Sequence, residues 1–156
     1  MWAYQMRPEM TKTEDEAQNF DLDAFLPYQL AVLAGRVSRG FAETYREKFG
    51  ISIPEWRVVA HLAHAGSVSV REIHERVDMD KSKVSRAATR LEDAGFVTKS
   101  VNRNDRRLIE LQLTDKGRAM IAEMTPIALD YEAKVLSALG DCAPGFRQAI
   151  DRLLKD

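Results

Sequence analysis

A mainly α-helical fold carrying one small β-hairpin is predicted for this chain of 156 residues by three observations. Apolar residues recur at intervals of three and four over most of the sequence, which is the repeat of a helix face. Two short stretches, 96–101 and 108–113, read instead as strands joined by a polar tip. A short helix, a tight turn and a second helix stand directly before that hairpin, the order of a winged helix-turn-helix over residues 68–114.

The elements follow in order. Residues 1–20 are polar without a sustained period and are expected to form a flexible N-terminal arm. From Leu22 the positions Leu26, Leu30, Leu33, Val37, Phe41 and Tyr45 line one face of a long first helix over residues 23–49. Gly50 stops it, being free to adopt a left-handed backbone. Ser52, Pro54 and Glu55 restart the chain as a second helix to residue 65, with Ser52 as cap, Pro54 in the first turn and Glu55 completing a capping box. A third helix over residues 70–77 uses Val70, Ile73 and Val77. After the turn Asp78-Met79-Asp80, Asp80 caps a fourth helix over residues 81–94, with Val84, Ala87, Ala88 and Leu91 inward.

The hairpin comes next, with residues 102–107 as its basic tip. Thr114 to Gly117 opens a fifth helix reaching Leu139, with Pro126 as a point where it can kink. Gly140 closes it. A sixth helix is expected after Ala143-Pro144-Gly145, on the apolar face Phe146, Ile150, Leu153 and Leu154. The implied organisation is an arm over 1–20, a first helix over 21–50, a winged lobe over 51–113 and C-terminal helices over 114–156.

Composition, at 45% hydrophobic and 30% charged, allows one compact domain or two small lobes sharing a core. The single cysteine, Cys142, excludes an intrachain disulfide and a cysteine-rich zinc motif. Residues 1–10 lack the apolar core of a secretory signal, and no apolar run approaches the roughly 20 residues that span a bilayer. A cytoplasmic location and no membrane contact are therefore expected.

The formal net charge of −1 conceals a segregation. Between Lys81 and Arg107 eight cations face three anions, a local charge of +5, whereas the first 25 residues carry −4. Lys81, Ser82, Lys83, Ser85, Arg86 and Arg90 lie on the outer side of the fourth helix. They present cations and hydroxyls to phosphates and base edges, as a recognition helix must. Of the tip residues Arg103, Asn104, Asp105, Arg106 and Arg107, the three arginines supply guanidinium groups thin enough for a minor groove. Asp105 is expected to hold Arg107 or Arg103 through a charge-assisted hydrogen bond. Alone, a basic helix face or a polar hairpin tip is ordinary solvated surface. Their joint order is far more restrictive, and points to duplex DNA.

Four segments carry a resemblance: Ile53-Pro54-Glu55-Trp56-Arg57-Val58-Val59, Asp80 to Arg86, Leu91 to Val97, and Asp105-Arg106-Arg107 followed by Leu113-Thr114-Asp115-Lys116-Gly117. Through them the chain, over residues 22–154, resembles the multiple-antibiotic-resistance regulator (MarR) family of bacterial transcription factors. The resemblance implies a triangular homodimer whose first, fifth and sixth helices interleave, reading a pseudo-palindromic site with half-sites roughly 34 Å apart. Burial points the same way, because the winged lobe is too small to cover the apolar faces of those helices. The resemblance places Ser82, Lys83, Ser85 and Arg86 at recognition-helix contacts, and Asp105 with Arg107 at the minor-groove pair. The chain departs from the pattern at Asn102 and Asn104, where members often carry Asp and Arg; the nearby arginine here is Arg103.

Many members repress transcription until a small molecule, often an aromatic carboxylate, is bound, so a repressor released by such an effector is expected. Tyr28, Arg36 and Trp56 are the candidate ligand residues, with core packing, a dimer contact or a plain surface role as the alternative for each. His61 and His64 are spaced for zinc, but no third ligand accompanies them, and no metal or other cofactor is expected. Cys142 reads as a passive thiol, and the first helix lacks the cysteine that some members use to sense oxidants. The competing classes are a winged-helix protein-docking module, a DNA-binding regulator without a ligand, and an enzyme using His61, His64 or His74 as a base. No phosphate loop, nucleophile elbow or carboxylate pair supports an enzyme, and no catalytic residue is assigned.

Overall fold

The computed structural model describes residues 20–155. The expected N-terminal arm lies, but for Phe20, outside the described residues. The helices are α1 (Leu26–Phe49), α2 (Ile53–Ala65), α3 (Val70–Arg76), α4 (Lys81–Asp93), α5 (Asp115–Leu139) and α6 (Ala143–Leu153). The strands are β1 (Val68–Ser69), β2 (Val97–Val101) and β3 (Ile109–Leu113), and a 3-10 turn spans Gly140–Cys142. The mainly helical, winged arrangement is as predicted. The chain divides into two compact units, Met1–Arg36 and Val37–Asp156, with the boundary inside α1.

In the first unit α1 begins at Leu26, later than the expected residue 23. The reason is local: Asp21 Oδ1 accepts the Asp23 and Ala24 amides at 3.0 and 3.3 Å, holding a turn. Phe20 packs edge-on against Phe25 with centroids 5.2 Å apart.

In the second unit the three strands form an antiparallel sheet in the order β1-β3-β2. Val97 faces Leu113 and Val101 faces Ile109, while Val68 faces Leu111. The sequence reading missed β1, which is too short to show a period. The core gathers the inward stripe of α4 (Val84, Ala87, Ala88, Leu91) with Val58, Val59 and Leu62 of α2, Ile73, Leu111, Met120 and Met124. Beside it Tyr45 stacks on Trp56 at 5.2 Å and 13°, and Phe41 packs edge-on against both. Burial pushes the Tyr45 phenol up to about 12.

Helix boundaries follow capping chemistry. Gly50 ends α1 at φ 67°. The Ser52 amide donates to Glu55 Oε2 at 2.9 Å, one half of the expected capping box. Ser69 Oγ accepts the Glu72 amide at 3.1 Å at the start of α3. Helix α5 continues through Pro126, as expected. Two expectations are corrected. Helix α6 starts at Ala143 itself, since Pro144 suits a first turn and Gly145 does not interrupt it. Phe96 and Leu108 lie just outside the strands.

The junction from β3 into α5 is a single residue, Thr114. Its hydroxyl donates to the Gly95 carbonyl at 2.7 Å and accepts the Gly117 amide at 3.0 Å. Lys116 Nζ donates to the Ala94 carbonyl at 2.7 Å and lies 4.6 Å from the centre of the Phe96 ring. A Cβ on Gly117 would stand 2.1 Å from the Phe96 carbonyl oxygen, so only glycine admits this approach.

Candidate nucleic-acid interface

The turn before α4 aims that helix. His74 Nδ1 lies 2.6 Å from the Met79 carbonyl oxygen, so this nitrogen carries the proton and donates. Asp78 takes a left-handed φ of 49°. Asp80 then caps α4 through Oδ1, which accepts the Lys83 amide at 2.9 Å and the Ser82 hydroxyl at 2.6 Å. These bonds, the Ser82 hydroxyl first, lower the Asp80 carboxyl to about 2.

All of the recognition-helix candidates are exposed: Lys81, Ser82, Lys83, Ser85, Arg86 and Arg90. Their surroundings differ. Ser82 is engaged with Asp80, and Lys83 Nζ lies 3.4 Å from Asp80 Oδ2. Lys83, Arg86 and Arg90 border a hollow with Ser52, Pro54 and Glu55. Arg90 approaches the buried Glu55 carboxylate at 3.7 Å.

At the wing, Asp105 selects Arg107 rather than Arg103. The Arg107 Nε donates to Asp105 Oδ1 at 3.1 Å and Nη2 to Oδ2 at 3.4 Å, while the Arg107 amide also donates to Oδ1, at 3.0 Å. The Arg107 guanidinium and the amide hold the Asp105 carboxyl below its usual value. Arg103, Asn104 and Arg106 are exposed at the tip.

Helix and wing meet around one hollow of about 510 Å³, bordered by Lys81 and Ser85 of α4, Arg71 of α3, and Lys99, Asp105 and Arg107 of the wing. Sequence reasoning missed Arg71 and the role of Lys99. Lys99 Nζ donates to Thr89 Oγ1 at 2.9 Å and pairs with Glu92 Oε2 at 3.1 Å, a strut between β2 and α4. The signal was present, since Lys99 occupies an inward register position opposite Leu111.

The candidate ligand residues fall in two places. Tyr28 and Arg36 border a shallow depression with Gln29, Val32 and Leu33. Trp56 is half-buried in the aromatic cluster, and its free edge borders a hollow of about 570 Å³ with Arg57, His61, His64 and Arg76. There His61 Nε2 is buried and has no hydrogen-bond partner among the described residues. Among the described residues no three His, Cys, Asp or Glu side chains gather as a metal site, and no helix is long and apolar enough to cross a membrane. Cys142 is exposed.

The sequence profile described as the MarR family matches residues 49–108, from the end of α1 to the wing tip. The chain is 37% identical over 93 residues to the HTH-type transcriptional repressor MdtR of Bacillus subtilis strain 168, a match covering 60% of each chain. The MarR family transcriptional regulator SPO1453 of Silicibacter pomeroyi DSS-3 superposes with a TM-score of 0.69 at 28% identity, covering 86% of this chain and 99% of that one. The chain is similar to MarR family regulators, most closely matched from the end of α1 to the wing tip. Bordetella bronchiseptica BpsR, a protein whose DNA binding is regulated by 6-hydroxynicotinic acid, shares the fold with a TM-score of 0.75 at 20% identity, over 88% of this chain and 97% of that one. The chain spans 60% and 55% of the lengths of the first two curated relatives it matches. The profile match contains α4, β2 and the wing tip, and stops before β3.

Proposed function

We propose that this chain is a MarR family protein, a homodimeric, non-enzymatic regulator of transcription that binds duplex DNA through α4 and the wing. The observation that carries the reading is the convergence of Lys81, Ser85, Lys99 and Arg107 around one hollow. Cations from a helix and a hairpin thus share one surface, where phosphates and a groove can be met together. A second copy of the chain is the partner. Leu129, Ile150, Leu153 and Leu154 of the C-terminal helices, and Phe20, Leu26, Leu30 and Leu33 in the first unit, are large apolar side chains left exposed. Twofold pairing gives two recognition helices and a pseudo-palindromic site with half-sites roughly 34 Å apart.

The regulator acts as a repressor released by a small organic anion of the aromatic carboxylate class. Support comes from the Trp56 hollow, which offers an aromatic edge, the cations of Arg57 and Arg76, and the unpartnered His61 nitrogen. BpsR, with the same fold, responds to a molecule of that class. The effector needs only to prefer the released form, by roughly 10⁴-fold to turn a 1:99 balance into 99:1.

The test is recovery of genomic fragments bound by the purified protein, repeated with 6-hydroxynicotinic acid and hydroxybenzoates. The expected result is a set of twofold-symmetric sites whose affinity falls steeply with salt, from a protein that sediments as a dimer. A protein that binds no duplex at low salt refutes the reading.

A further inference from the structure

The wing tip is organised by Asn102, one of the two residues at which the chain leaves the family pattern. Asn102 Oδ1 accepts the backbone amides of Asn104 at 2.7 Å and Asp105 at 2.9 Å. Its Nδ2 donates to Glu110 Oε1. This orientation of the amide is the one that serves all three partners, because a carboxylate only accepts and a backbone N–H only donates. The main chain closes the same loop, with the Asn102 amide on the Leu108 carbonyl at 3.0 Å and the Leu108 amide on the Asp105 carbonyl at 2.9 Å. Asp105, fixed in this way, grips Arg107 through both carboxylate oxygens.

We infer that Asn102 and Glu110 form a positioning pair for Arg107, transmitting the register of β3 to the guanidinium that meets DNA. The inference rests on the DNA-binding reading above. Glu110 faces Ser100 in the ladder, so it is anchored by the sheet rather than by the loop. Its carboxylate needs a donor at position 102, which the Asn102 amide supplies. An aspartate there would keep the two amide contacts but set one carboxylate against another, a destabilising like-charge contact. Asn102 thus suits the Glu110 carboxylate beside it, as an aspartate would not.

The experiment uses the full chain and a duplex selected from a random library by the wild-type protein. Asn102→Ala removes the three bonds without changing charge. The Asn104 and Asp105 amides should then exchange about tenfold faster in the free protein. The dissociation constant should rise about tenfold, and Asn102→Ala added to Arg107→Ala should cost less than about twofold more. Asn102→Asp should weaken binding similarly, and adding Glu110→Gln should restore it to within about threefold, because the new amide donates to the new carboxylate. Glu110→Gln alone, which keeps an acceptor for Asn102, is the control for net charge. Unchanged amide exchange in Asn102→Ala overturns the pair, as do losses that multiply between positions 102 and 107. Tightening by Glu110→Gln alone as large as the rescue assigns the rescue to net charge and also overturns it. A wild-type protein that selects no duplex sinks the DNA-binding reading instead, while amide exchange still decides the local bonds.

Discussion

Gly117→Ala is a sharp test of the joint between wing and helix, because helix propensity and packing predict opposite signs. Alanine in a helix is favoured over glycine by up to about 1 kcal/mol, so propensity alone predicts a more stable protein. The structure predicts the reverse. The added Cβ would stand 2.1 Å from the Phe96 carbonyl oxygen and 3.2 Å from a Leu113 methyl, where ordinary contact begins at 3.4 Å. That carbonyl is no free end. It accepts the Thr114 amide at 3.0 Å and belongs to a buried residue at the mouth of β2. Relieving the overlap means displacing backbone, which costs about 1–3 kcal/mol as overpacking. The weakened Thr114 bond adds about 1 kcal/mol. Set against the propensity gain, the net is a loss of about 2 kcal/mol, or about 4–8 °C in Tm for a chain of this size. Urea and thermal unfolding followed by circular dichroism measure it. A variant as stable as the wild type, or more so, would refute the claim that this approach demands glycine.

Further outcomes follow from the interface. Arg107→Ala should raise the dissociation constant for a cognate duplex about tenfold at physiological salt, by titration; unchanged affinity removes the wing from the reading. Lys83→Ala should lower the salt slope of binding by about one if the ammonium meets a phosphate, and should change the selected sequence if it meets a base. Asp80 links α4 to acid. Its carboxyl lies at about 2 when folded and 3.8 when free, so its stabilising effect is complete above 3.8 and lost as pH falls toward 2. Asp80→Asn should flatten that part of the stability profile, and an unchanged acid limb in urea titrations counts against the cap. Tyr45 has the opposite dependence: its phenol, at about 12 folded and 10.0 free, should ionise in absorbance titrations only well above 10 or on unfolding.

Much of this was legible in the sequence where one local rule decided the outcome. The inward stripe of α4 and the Asp80 cap followed from spacing and residue type; opposite charge two residues apart gave an Asp105 clasp but left Arg107 and Arg103 as equal partners. What escaped depended on partners distant in the chain or on competition between local rules. Strand β1 exists because Val68 can lie opposite Leu111, which no period reveals. Asp21 delayed α1 by bonding the amides of Asp23 and Ala24, and such short-range competition is invisible to an apolar repeat. Ser82 looked available, but its hydroxyl is directed at the cap. Asn102 showed in the sequence only as a departure from the family pattern, and its meaning needed the opposite strand.

The single-residue passage from β3 into α5 has a mechanical consequence. Thr114, Lys116 and Gly117 tie the first turn of α5 to the carbonyls of Ala94, Gly95 and Phe96, where α4 ends and β2 begins. The joint therefore leaves no free linker: a rotation of the first turn of α5 is passed to the end of α4 and the start of β2 together, because the same three carbonyls hold all of them.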